Sequence, residues 1–86
     1  MNYQVIVVPR AEKDLRKMPT DVIVRVKESV LALRQEPRPA GSRKLVNVSP
    51  ETWRVRIGDW RVLYRIDDQA HMVTVTNVIH RREAYR

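Results

Sequence analysis

The 86-residue sequence contains no cysteine, no phenylalanine and only two glycines. Without thiols there is no disulfide frame, no thiolate nucleophile and no cysteine-based zinc site. The two histidines, His71 and His80, form no metal-ligand spacing with Asp or Glu, so neither a metal nor another cofactor is expected. Two glycines cannot build a glycine-rich phosphate loop. No apolar run exceeds four residues, far short of the roughly 20 that a membrane-spanning helix needs. The opening MNYQVIVV reads as a strand and not as a secretory leader. A chain of this length has room for one domain, residues 1–86, with a thin core and an expected place in the cytoplasm.

What the sequence does have is positive charge. Seventeen Lys and Arg face ten Asp and Glu, a net charge of +7, and thirteen of the seventeen are arginine. A surplus of this size on a small body favours polyanions or acidic proteins. Arginine adds a planar fork that grips phosphate or carboxylate with two hydrogen bonds and stacks on bases. A solubilising charge has the same composition, so position must decide.

The apolar pattern predicts an α+β domain. Residues 3–8 form a β-branched run closed by Pro9, a first strand. Residues 10–17 have helical spacing through Ala11, Leu15 and Met18. A second helix opens at Thr20 or Asp21 as N-cap, runs to about Glu36 and aligns Ile23, Val26, Val30 and Leu33. Pro37, Pro39 and Gly41 make a surface loop, after which everything reads as strand. The expected order is an N-terminal strand, two helices and an antiparallel β-meander, with the helices on one face of the sheet.

Register turns this outline into a site. Gly58-Asp59 is a two-residue hairpin turn, which pairs Ile57 with Trp60, Arg56 with Arg61 and Arg54 with Leu63. Trp53, Val55, Ile57, Trp60, Val62, Tyr64 and Ile66 then share one apolar face, with both tryptophans packing in it. Arg54, Arg56, Arg61, Leu63 and Arg65 share the other, open face. Arg56 directly across from Arg61 is a like-charge pair that destabilises the sheet, and a bound anion would relieve it. A four-residue loop at Asp68–His71 pairs Ile66 with Val73 and Arg61 with Val78. That register puts Val73, Val75 and Ile79 in the core, and Thr74, Thr76, Val78 and His80 on the arginine face. His80 then arrives beside the Gly58-Asp59 end, with Arg81, Arg82 and Tyr85 just beyond it. His71 falls in a polar turn and is solvated.

Several guanidiniums with one histidine and one tyrosine suit cleavage of RNA by its own 2′-hydroxyl. That reaction needs stabilisation of the phosphorane charge, a proton acceptor and a proton donor. Arginine stays charged in proteins and cannot accept the proton, which leaves His80 as the candidate acceptor.

The segment WRVRIGDWRVLYRIDDQAHMVTVTNVIHRREAYR, with RKL at 43–45 upstream, resembles the RelE branch of the RelE/ParE toxin superfamily. The resemblance covers essentially the whole chain and implies a type II toxin that enters the ribosomal A site and cleaves the mRNA codon there. It implies three partners: the ribosomal small subunit with its mRNA, a cognate acidic antitoxin, and operator DNA bound only by the toxin–antitoxin complex. It carries phosphate handling to Arg61 and Arg81, strand cations to Arg54 and Arg56, and a stacking or orienting tyrosine to Tyr85. Lys44, Arg65 and Arg82 extend the expected RNA-binding surface. The sequence departs from the family where Arg54 and Arg56 stand in place of lysines. It also ends one residue after Tyr85. The competing readings are a ParE-like toxin that inhibits DNA gyrase without cutting RNA, and a basic nucleic-acid-binding module without catalysis.

Overall fold

The structure, a computed structural model, describes residues 2–84. Its elements are β1 (Gln4–Val7), α1 (Pro9–Arg16), α2 (Thr20–Ala32), β2 (Arg43–Lys44), β3 (Trp53–Ile57), β4 (Trp60–Asp67), β5 (Met72–His80) and α3 (Arg81–Ala84). The strands form one sheet in the order β1-β5-β4-β3-β2. β1 runs parallel to β5, and every other pair is antiparallel. This is the expected α+β architecture, with a parallel edge strand added to the meander.

Local chemistry explains the elements. Pro9 ends β1 and opens α1, where its missing N–H would have no helical partner anyway. Ala11, Leu15 and Met18 from the first helical segment, and Val26, Val30 and Leu33 from the second, bury against Val62, Tyr64, Val73, Val75 and Val78. Two expectations for α2 fail. Pro19 holds the N-cap position and no side chain caps the helix, so neither Thr20 nor Asp21 does so. The helix also stops at Ala32, because Leu33 and Arg34 donate to the carbonyls three residues back and tighten the chain into a turn. Pro37 then bars the preceding residue from helical geometry.

The β3–β4 hairpin has the expected register, Ile57 with Trp60 and Arg56 with Arg61. The β4–β5 pairing begins as expected, with Ile66 opposite Val73, but shifts by one residue at Leu63/Tyr64. Tyr64 faces Val75 while Leu63 faces Asn77, so Thr76 is the extra residue of a β-bulge, and its hydroxyl reaches the Leu63 carbonyl at 3.3 Å. Beyond the bulge every side chain of β5 changes face. Val78, expected beside the arginines, pairs with Val62 in the core and is 3% exposed. Ile79 takes its place opposite Arg61.

β1 pairs with β5 only as far as Val7 and Val75, leaving the outer edge of β5 open beyond that point. Asp14 of α1 closes it: the Val78 N–H donates to Asp14 Oδ2 at 3.1 Å. Replacing Asp14 by alanine strands a backbone donor at a partly buried edge. It is expected to destabilise the fold by about 1–3 kcal/mol in a denaturant titration; an unchanged midpoint would show that water serves the donor equally well.

The far end of the sheet is fastened by polar contacts. Arg38 grips Asp68 with both terminal nitrogens, at 3.2 and 3.0 Å, and the Tyr3 hydroxyl donates to Asp68 Oδ1 at 2.6 Å. These bonds, Arg38 first and Tyr3 second, hold the Asp68 carboxyl below its usual pKa. A lowered folded-state pKa adds stability that is complete above the ordinary carboxylate range and is lost as pH falls through the folded value. The melting temperature should therefore fall below about pH 4, and less steeply in Arg38→Met than in the parent. Identical acid limbs would remove this contact from the account. At alkaline pH the sign reverses. Burial raises the pKa of Tyr64, whose hydroxyl donates to the Pro37 carbonyl at 2.8 Å, so its contribution is lost only above the usual phenol range.

Candidate functional site

The face of the sheet away from α1 and α2 carries the arginines in rows set by register. One row runs Arg56–Arg61–Ile79 and the next Arg43–Arg54–Leu63–Asn77, while Arg65 lies opposite Thr74. Adjacent rows are two residues apart, so Arg65 stands about 13 Å along β4 from Arg61. Arg56 and Arg65 are exposed and Arg54 is half-buried. Arg61, expected on an open face, is only 7% exposed. It occupies the central strand, flanked by β3 and β5, and no buried side-chain nitrogen or oxygen among the described residues lacks a hydrogen-bond partner. Arg61 is therefore a buried, partnered guanidinium and Arg56 an exposed one opposite it.

The hairpin turn brings in the next cation. The Arg81 N–H donates to the Asp59 carbonyl at 2.7 Å, and its guanidinium lies 3.5 Å from the Asp59 carboxylate. The turn thus anchors the start of α3 at the row of Arg56 and Arg61. Gly58 permits the turn with φ of +60°. Arg82, exposed, follows on α3. Tyr85 lies outside the described residues.

One expectation about this site is corrected, and one further residue lies apart from the arginine row. Past the bulge, His80 pairs with Trp60, so it sits on the helix side of the sheet and not on the arginine face. Its ring meets Trp60 edge-on, with centroids 5.0 Å apart. Its Nδ1 accepts the Arg82 N–H at 3.3 Å, which in the neutral ring puts the proton on Nε2. So placed, His80 lies on the face opposite Arg56 and Arg61, and not beside them as expected. Lys44 pairs with Trp53 and belongs by register to the helix-side face, with its Nζ 3.8 Å from Glu51. Arg43, one residue earlier, joins the arginine row instead. The strand β2 is only two residues long and has no periodicity from which to choose between them.

Among the described residues no group of three or more His, Asp and Glu side chains is placed to hold a metal ion. None of their helices is long and apolar enough to cross a membrane. The structure defines a small basic α+β protein whose helices cover one sheet face and whose arginines gather on the other. Residues 5–85 match the family model described as the ParE toxin of the type II toxin–antitoxin system parDE. The toxin RelG of Mycobacterium tuberculosis is 36% identical over the full chain and 99% of its own length. Among solved structures, the RelBE2 toxin–antitoxin complex of M. tuberculosis superposes with a TM-score of 0.83 at 32% identity, covering 93% of this chain and 99% of that one. The archaeal RelE–RelB complex of Pyrococcus horikoshii gives 0.83 at 26% identity, covering 94% and 97%. The chain belongs to this family of type II toxins, and its relatives are of the RelE type.

Proposed function

We infer that the protein is a RelE-like endoribonuclease that cuts mRNA in the ribosomal A site and is held inactive by a cognate acidic antitoxin. The observation that carries this reading is the Arg56–Arg61 pair. Two arginines at directly opposed positions of neighbouring strands, one of them buried, concentrate positive charge where a phosphate would be favoured. Arg81, held at the same end by Asp59, supplies a third cation.

In the proposed reaction the 2′-hydroxyl oxygen attacks the adjacent phosphorus and the bond from phosphorus to the 5′-oxygen breaks. The products are a 2′,3′-cyclic phosphate and a free 5′-hydroxyl. One proton leaves the 2′-hydroxyl and one reaches the departing oxygen; the arginines take neither, because they stay protonated throughout. Their work is electrostatic, opposing the extra negative charge of the phosphorane. Arg54, with Arg43 beside it, and Arg65 guide the RNA backbone, and Tyr85 stacks on the scissile nucleotide. The toxin acts in the cytoplasm, where its substrate is, and binds operator DNA only within the antitoxin complex.

The family model bears the ParE name, which favours a second reading, inhibition of DNA gyrase without RNA cleavage. Adding the protein to translating ribosomes and mapping mRNA 5′ ends separates the two. New ends within A-site codons support the nuclease. Intact mRNA together with blocked gyrase supercoiling supports the alternative.

A further inference from the structure

The exposed Arg25 of α2 reaches over the β3–β4 turn. Its terminal guanidinium nitrogens stand 3.3 and 3.6 Å from where a Cβ on Gly58 would lie. Glycine here serves two ends: it adopts the positive φ, and it leaves open the space that the guanidinium fills. Among the described residues Arg25 has no ion pair and no hydrogen bond, so its charge is held at the turn without being neutralised.

The same side of the turn carries Trp60 and His80, both half-buried, in edge-on contact. The imidazole is held there by the Arg82 N–H, which donates to its Nδ1. Cationic side chains beside aromatic rings are what proteins combine to hold single-stranded nucleic acid. They lie across a two-residue turn from Arg56 and Arg61, and Arg81 stands at the rim between the two sides.

We propose that Arg25, Trp60 and His80 form a second RNA subsite on the helix side of the β3–β4 turn. RNA leaving the arginine face bends over Gly58-Asp59. Arg25 binds a backbone phosphate there, while the Trp60–His80 edge supports the attached nucleotide. The subsite rests on the RNA reading above, and it explains why the bulge in β5 is worth its lost ladder bond: the shift delivers His80 to Trp60.

Salt dependence tests it. The full chain is titrated with a fluorescent single-stranded RNA of about a dozen nucleotides, fully 2′-deoxy-substituted where cleavage would occur, at several salt concentrations. Each phosphate contact on a single strand contributes about 0.7 to the slope of log K against log salt. Arg25→Ala should lower the slope by about 0.7 and weaken binding several-fold, and Arg25→Lys should restore the slope. A slope unchanged by Arg25→Ala but reduced by Arg56→Ala overturns the subsite and leaves the nuclease reading standing. No RNA binding, or a slope that neither variant changes, also overturns the subsite, while the nuclease reading is decided separately by the mRNA ends mapped on translating ribosomes.

Discussion

Replacing Arg61 by alanine is expected to produce two losses together. Cleavage should fall by about 10²–10³-fold, the range for removing one preorganised donor from a developing negative charge. The melting temperature should also drop, by roughly 5–15 °C for a domain this small. The second loss follows from burial. Arg61 is 7% exposed, and its truncation leaves former partners unpaired within the sheet. Arg56→Ala separates the two effects, because Arg56 is exposed at the opposite position of the same row. It should lose most of the cleavage with little change in melting. Arg61→Ala cleaving at the parent rate would remove the opposed pair from the mechanism, and an unchanged melting temperature would contradict its packing.

Arg81→Ala should likewise lose about 10²–10³-fold in cleavage, but with almost no change in stability. Arg81 and its Asp59 partner are both well exposed, and exposed ion pairs contribute little to folding. Asp59 is expected to orient Arg81 and not to act on the scissile phosphate itself. Asp59→Asn is therefore expected to lower kcat several-fold with KM little changed, a far smaller effect than losing the guanidinium. If Asp59→Asn equals Arg81→Ala in size, the carboxylate itself takes part; if neither changes the rate, the hairpin end is not the site.

The part of the site that was legible in the sequence is the part governed by strict alternation. From Trp53 to Ile66 apolar and basic residues alternate around a two-residue turn, with Leu63 the one exception, and one register satisfies both faces. The helix stripe of Val26, Val30 and Leu33 was equally plain. β5 was harder because its bulge falls in Thr74-Val75-Thr76, where the alternation looks unbroken. One signal was available. An uninterrupted register would have set Asn77 opposite Val62 in the core, and an unpaired buried amide is costly. The bulge moves Asn77 out, brings Val78 in and carries His80 to Trp60. The burial of Arg61 and the reach of Arg25 were not legible at all. Both depend on how layers pack, and spacing along the chain does not record that.

In the proposed reaction the arginine face stabilises a phosphorane made by the RNA's own 2′-hydroxyl. Its most direct test is an mRNA carrying a single 2′-deoxynucleotide on the 5′ side of the mapped cleavage point, presented on ribosomes stalled with that codon in the A site. Cleavage there should vanish, while the all-ribose message is cut to a 2′,3′-cyclic phosphate. Cleavage that persists at the deoxy position would contradict it, because water or another external nucleophile would then have to make the attack.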